Sequence, residues 1–472
     1  MTSSRSLRWA LPLAAVAGCA VGPDYHRPTA PEPAAFKEAW QPAAPADQLP
    51  RGPWWDAYGD ATLGELEGAA ERANQTVIAA DAQYRGALAA VGGVRAALFP
   101  TVAVSAGTTR SSNPSGAALA GSGASNLPAG NTTYTVDRLT GTVSWELDIW
   151  GRLRRSLEAS STAAAASAAD LAAARLSVAA TLAQDYVQLR SLDTQRDLFA
   201  RTIAAYRRSL EITRNRYVAG VAPRTDVTQA ESQLAGAEAQ DADLAVQRAT
   251  LEHAIATLTG RAASDFTLAP VAILPQLPAV PAVLPATLLQ RRPDVAAAER
   301  RVASANAGIG VARGAWFPSL TLAGTGGYEG AAWQHLVSLP NRFWSLGPSL
   351  AETLFDAGAR SAQSAAARAA YDGAVANYRQ SVLTALADAE DSLAALHGLA
   401  DEEAADNRAA IAARETLRAT ENQYRAGTVS YLNVVIAQST SFAADRSLID
   451  VQSRRLLAHI GLLKAMGGTP GP

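Results

Sequence analysis

The apolar positions of the chain keep a helical period over a very long stretch. Between about Leu153 and Tyr217 there is no proline and no glycine, and apolar residues recur at Leu171, Val178, Leu182, Leu189, Leu192, Phe199, Ile203 and Leu210. The steps are seven or a split of seven, which is the seam of a coiled coil. At 1.5 Å per residue this predicts a helix on the order of 100 Å long. Alanine fills many flanking positions, which lets neighbouring helices approach closely. The helix stops at Ala219-Gly220-Val221-Ala222-Pro223, where glycine tolerates the left-handed conformation that commonly ends a helix. A return helix is predicted from about Thr225 to Thr259, ending at Gly260. Upstream, a helical stretch from about 60 to 97 runs into Phe99-Pro100, and there the period changes to two. A strand is predicted over Thr101–Gly107, then a Gly-, Ser- and Ala-rich loop from Ser111 to Thr132. The returning strand sets Leu139, Val143, Trp145 and Leu147 on one face and Thr140, Thr142, Ser144 and Glu146 on the other.

This series is written twice. Arg214-Asn215-Arg216-Tyr217-Val218-Ala219-Gly220 parallels Asn422-Gln423-Tyr424-Arg425-Ala426-Gly427, with tyrosines and glycines 207 positions apart. Leu147-Asp148-Ile149-Trp150-Gly151 parallels Leu354-Phe355-Asp356-Ala357-Gly358 at the same offset, glycine to glycine. Phe99-Pro100 parallels Phe317-Pro318 at an offset of 218, so the first copy holds 11 extra residues in its strand-connecting loop. Three matches in one order define an internal repeat. The second copy predicts a helix from about 287 to 314, a strand at Ser319–Gly324, a loop from Gly326 to Asn341 and a helix from about Arg360. A turn at Ala426-Gly427-Thr428 and a return helix to about Met466 complete it; Gly373 and Gly398 predict a less regular outgoing helix. The chain divides into 1–18, an extended segment 19–59, a first repeat 60–261, a Pro-rich connector 262–286, a second repeat 287–466 and a tail 467–472. Proline-rich residues 20–58 are expected to wrap the outside as coil.

The fold class expected is α+β, long antiparallel helical hairpins plus four strands. Strands of about ten residues suit a membrane when tilted. Four cannot close alone, because single-chain barrels need about eight. An open edge in lipid leaves backbone groups unsatisfied at several kcal/mol each. Several chains must therefore share one barrel, and a narrow helical seam equally demands neighbours.

Composition narrows the chemistry. A formal charge of −2 over 472 residues argues against nucleic acid, which requires a basic surplus. Five scattered histidines, two methionines and one cysteine show no metal-ligand spacing. Past the N-terminus there is no run of 18 apolar residues, so no helical membrane span is expected. Gly324-Thr325-Gly326-Gly327 follows a strand but opens no helix, so it lacks what a phosphate cradle needs. With no Gly-x-Ser-x-Gly and no P-loop either, an enzyme is not expected. Residues 1–18 read as an export signal, with Arg5 and Arg8 at the positive end and Leu7 through Ala17 as the apolar stretch. The stretch ends in Val16-Ala17-Gly18-Cys19, which resembles a bacterial lipobox. That resemblance makes Cys19 the acylated first residue, anchored by several chains; an ordinary signal with an incidental cysteine is the other reading. Ala20 in place of aspartate implies, by the same resemblance, sorting to the outer membrane.

Taken together, the residues resemble the outer membrane factors of tripartite efflux systems, the TolC, OprM and NodT type, in their lipoprotein branch. The resemblance covers nearly the whole chain. It is carried by Cys19 to Tyr25, Trp54-Trp55-Asp56-Ala57-Tyr58-Gly59-Asp60, both Phe-Pro junctions, Trp145 to Gly151 and both Tyr-x-x-Gly tips. It implies a homotrimer with a twelve-stranded β-barrel over a twelve-helix tunnel. It also implies passive export from a periplasmic adaptor (membrane fusion protein) and an inner-membrane transporter of the resistance-nodulation-division type. No cofactor is implied beyond the lipid on Cys19. The gate would lie at the periplasmic tips, where Tyr-x-x-Gly is followed six residues later by Asp-Val. The first copy fits with Tyr217, Gly220, Asp226 and Val227; the second has Tyr424, Gly427, Asn433 and Val434. The family's closing contact would join Tyr424 to Asp226, although Asp226 also reads as a helix N-cap and both tyrosines as seam residues. Asn433 and Ile436 stand where relatives often carry acids, so Leu432, Val435 and Ile436 form either a hydrophobic constriction or part of the helix seam. Gly220, Val221, Ala222, Gly427, Thr428 and Val429 are the expected adaptor or pump contacts. The rival reading is a lipid-anchored periplasmic coiled-coil adaptor, which would carry one hairpin rather than two.

Overall fold

The computed structural model describes residues 21–29, 53–114, 131–278 and 292–468. The expected signal segment, Cys19, most of the N-terminal extended segment, the centre of the first strand loop and the distal part of the connector lie outside the described residues. The described residues divide into two units: those within Met1–Pro28, Arg85–Ala165 and Arg300–Val375 form the first, and those within Thr29–Tyr84, Ala166–Glu299 and Ala376–Pro472 the second.

The first unit holds one antiparallel sheet in the order β1-β2-β3-β4. Its strands are β1 (Thr101–Pro114), β2 (Asn131–Leu147), β3 (Ser319–Gly330) and β4 (Arg342–Ala351). Three of them run longer than alternation alone predicts. β1 continues past Ser111 and β2 begins at Asn131, so the first loop is shorter than its composition suggests. Gly326 and Gly327, expected to open the loop, are strand because both neighbours supply ladder bonds. A Cβ at Gly327 would stand 2.0 Å from the Leu139 carbonyl oxygen, so glycine is what permits that close approach. Below the strands, Asp148 accepts from the amides of Leu153 and Arg154 at 3.0 and 2.9 Å and caps the next helix. Trp150 stacks on Phe317 with centroids 4.9 Å apart, and its Nε1 donates to the Pro318 carbonyl at 2.9 Å. The N-terminal segment lies against these elements: Val21 N donates to Trp150 O at 3.0 Å, and Arg155 pairs with Asp24 at 2.9 Å.

The helices are α1 (Ala61–Ala73), α2 (Gln75–Ala96), α3 (Arg152–Val218), α4 (Arg224–Leu258), α5 (Pro293–Gly314), α6 (Ala359–Arg425) and α7 (Tyr431–Ala465). The stretch expected as one helix from 60 to 97 is broken at Asn74. Its side chain accepts from the amides of Thr76 and Val77 at 2.9 and 3.2 Å, starting a second helix. α6, by contrast, runs unbroken through Gly373 and Gly398. Each glycine costs about 1 kcal/mol, which buried Leu393 and Leu396 outweigh by packing in the core. An 18-residue window of α3 reaches mean hydropathy 1.2, so length and composition alone admit it to a bilayer. The lack of an unbroken apolar run is therefore too strict a test. Alanine supplies that hydropathy, while the seam residues Leu182, Leu189 and Phe199 are buried against other helices.

The second unit's core joins Trp54, Tyr58, Leu63, Leu182, Tyr186, Leu189, Ile255 and Ile460. Trp54–Tyr58 is a 3-10 turn with both end aromatics buried, not outer coil as its proline-rich surroundings predict. Tyr58 is held by a 2.7 Å hydrogen bond between its hydroxyl and His459 Nδ1. The proximal connector is pinned by a buried cluster. Asp193 bridges Arg190 at 3.0 Å and Arg248 at 2.6 Å and accepts from Val271 N, while Arg248 donates to the Leu268 carbonyl.

Candidate functional site

Two places carry functional geometry: the hairpin tips in the second unit and the sheet in the first.

At the first tip, Gly220 adopts φ 73°; its N–H bonds the Tyr217 carbonyl, and Val221 N bonds the Arg216 carbonyl, both at 2.9 Å. At the second, Gly427 N bonds Tyr424 O and Thr428 N bonds Gln423 O, both at 3.0 Å. Each is a Schellman turn, which accounts for the Tyr-x-x-Gly spacing: the tyrosine supplies the carbonyl and the glycine the left-handed residue. Gly220, Val221, Gly427 and Thr428 are exposed, while Ala222 and Val429 are half-buried. The return helices start in parallel fashion after Pro223 and Ser430. Asp226 is therefore in the first turn of α4, not at its N-cap, and Asn433 holds the matching place in α7. A carboxylate there still complements the positive helix end.

The two hairpins meet in a cluster of Leu210, Val227, Ala230, Tyr424, Tyr431, Val434 and Val435. Tyr424 is 7% exposed, and its hydroxyl is buried without a hydrogen-bond partner. It makes no bond to Asp226. Its ring lies instead under Arg216, whose guanidinium carbon is 4.5 Å from the ring centroid and whose Nη1 donates to the Tyr424 carbonyl at 3.2 Å. Burial raises the Tyr431 phenol above its usual range, against hydrogen bonds to Ser209 and Thr213 that lower it. Leu432 and Ile436 are exposed and one turn apart, so within the chain they are not seam residues; Val435 is buried and does belong to the core. Tyr217 is exposed beside Val218 and Val221. Arg216 and Tyr431 are the tip residues that motif reading passes over. The one available signal for Arg216 was its place immediately before the Tyr-x-x-Gly tyrosine.

The sheet separates its faces over the rows from Val102 to Ala106; beyond them Thr108, Arg110 and Asp137 lie on the same face as the valines. Val102 and Val104 of β1, Leu139 and Val143 of β2, Leu320 and Leu322 of β3, and Trp344, Leu346 and Leu350 of β4 share one face. Val102, Val104, Trp344, Leu346 and Leu350 are all exposed, an apolar band that water would not tolerate. The opposite face carries Ser105, Thr109, Thr142, Ser144, Thr325, Ser345 and the Arg138–Glu329 pair at 2.6 Å. β1 and β4 are unpaired edges.

An apolar band on one face, a polar one on the other and long helical hairpins define a membrane duct. The chain belongs to the family described as outer membrane efflux protein, whose model matches residues 67–261 and 284–468, one block per repeat. Toluene efflux pump outer membrane protein TtgF of Pseudomonas putida is 31% identical over 467 residues, covering 96% of this chain and 95% of that protein. Outer membrane protein OprJ of Pseudomonas aeruginosa is 30% identical over 465 residues, covering 95% and 93%. Among solved structures, the outer-membrane channel OprN superposes with a TM-score of 0.84 at 28% identity, over 95% of this chain and 99% of that one. The open-state MtrE channel of Neisseria gonorrhoeae gives 0.79 at 26%, over 95% and 98%. The protein is thus an outer-membrane efflux channel protein, and the adaptor reading falls.

Proposed function

We propose that three copies of this chain pool their sheets into one twelve-stranded barrel and their hairpins into one tunnel. The assembly passively releases cargo that an inner-membrane transporter of the resistance-nodulation-division type and a periplasmic adaptor deliver. The observation that carries this is the open sheet with an exposed apolar band: its edges must pair, and an even number of strands per chain lets β4 of one copy meet β1 of the next antiparallel. The hairpin tips are the periplasmic gate. Arg216 on Tyr424 ties the two hairpins, Asp226 and Asn433 flank that tie, and Leu432 and Ile436 present apolar side chains beyond it. Gly220, Val221, Ala222, Gly427, Thr428 and Val429 form the docking rim. Cys19 carries the lipid, and no bond chemistry is performed. Light scattering of the detergent-solubilised protein is expected to give a mass of three chains; a monodisperse single subunit with its sheet intact would overturn the reading. A Cys19→Ala variant is expected to stay in the outer membrane, held by the barrel.

A further inference from the structure

β2 outruns its own hairpin. Its ladder with β1 ends where Ser144 meets Thr101. It continues through Trp145, Glu146 and Leu147 because β3 pairs with it there, Trp145 opposite Leu322 and Leu147 opposite Leu320. β4 stops at Ala351, opposite Ser319. Ala351 is 207 positions from Ser144 and Ser319 is 218 from Thr101, the two offsets of the repeat. Glu352, Thr353 and Leu354 therefore stand where Trp145, Glu146 and Leu147 stand, on the side of β4 that has no strand beside it. Leu354 is 89% exposed and Phe355 85%.

We infer that β1 of a second copy completes β4 in the register that β3 takes on β2. Leu354 then lies opposite the neighbouring copy's Val102, Leu350 opposite its Ala106, and Glu352 to Phe355 become strand. This rests on the trimeric reading above and specifies its interface. Three observations select the register. β1 has 14 residues and β4 has 10, and the four added residues equalise them. A slip of one residue would put Trp344, Leu346 and Leu350 on the face opposite Val102 and Val104, mixing apolar and polar positions. A slip of two in one direction sets Leu354 against Pro100, which has no N–H to give. In the other direction it draws Asp356 into the ladder, where its side chain already caps α6 through Gly358 N and Arg360 N.

Cysteine pairs in the full-length protein test it. Within one chain β1 and β4 are three strand spacings apart, about 14 Å, beyond the roughly 7 Å that a disulfide spans, so a bond between them joins copies. Oxidised membranes holding Val102→Cys with Leu354→Cys are expected to give a covalent three-chain species on a non-reducing gel. Val102→Cys with Leu350→Cys, and each single variant, should give none. A Val102–Leu350 link without a Val102–Leu354 link overturns the register. So does the absence of the three-chain species in a variant that light scattering shows to be trimeric. The same absence in a protein that proves monomeric overturns the trimeric reading instead.

Discussion

The guanidinium of Arg216 covers the ring of Tyr424 at 4.5 Å while donating to the same residue's carbonyl at 3.2 Å. One side chain of the first hairpin thereby holds the second at its last helical turn. Among the described residues Arg216 makes no ion pair, so its charge is balanced by an aromatic face and a carbonyl. Such a contact is worth about 0.5–2 kcal/mol, with a further ~1 kcal/mol from the hydrogen bond. Arg216→Ala is therefore expected to loosen the tips by about 1–3 kcal/mol. Single-channel recording should show a raised open probability; unchanged closed times would remove Arg216 from the gate.

The Tyr424 hydroxyl gives a sharper discrimination. It is buried and unpartnered, which costs about 1–3 kcal/mol relative to a site that bonds it. Tyr424→Phe keeps the ring under Arg216 and removes only that hydroxyl. The variant is expected to be as stable as the parent or more so, with an equal or higher thermal midpoint and unaltered closed times. If it opened the channel, a Tyr424–Asp226 bond would be operating in the closed assembly.

Legibility followed physical range. The strand faces could be read because alternation is a local property: Val143, Trp145 and Leu147 occupy the face that period two assigned them. The tip turns could be read for the same reason, since Gly220 and Val221 bond carbonyls only three and five residues back, at Tyr217 and Arg216. Asn74 was missed because nothing in a helical pattern separates an exposed asparagine from one whose side chain caps the next helix. Gly326 and Gly327 read as the start of a loop because the partners that keep them extended lie on β2 and β4, remote in sequence. Arg216 was hidden likewise: its partner is 208 residues away.

The connector clamp predicts a stability effect away from the gate. Asp193 is 5% exposed and bonds Arg190, Arg248 and the Val271 amide. Asp193→Ala leaves two buried guanidiniums without their shared carboxylate, a loss of about 3–5 kcal/mol. Limited proteolysis should then cut the chain near 266–271 in the variant and spare the parent; equal cleavage would show that the clamp does not hold the connector.

Two buried groups give the second unit opposing pH dependences. Glu67 is 2% exposed with Oε1 unpartnered, and burial, reinforced by Glu71, pushes its carboxyl up to about 9. The folded state keeps it protonated while the unfolded chain ionises it above the ordinary value of 4.5, so this residue subtracts stability as pH rises from there towards 9. At pH 7 the penalty is roughly 3 kcal/mol. His459 acts from the other side: burial holds it down to about 4, so stability is lost as pH falls from 6.5 through that value. Where the two windows overlap, from 4.5 to 6.5, the two slopes oppose each other. Glu67→Gln removes the first and leaves the second. Its thermal midpoint is expected to exceed the parent's at pH 8 by a clear margin and to converge with it near pH 4.5. A constant difference across that range would mean that Glu67 is ionised in the fold, and the carboxyl would then need a cationic partner to stay buried.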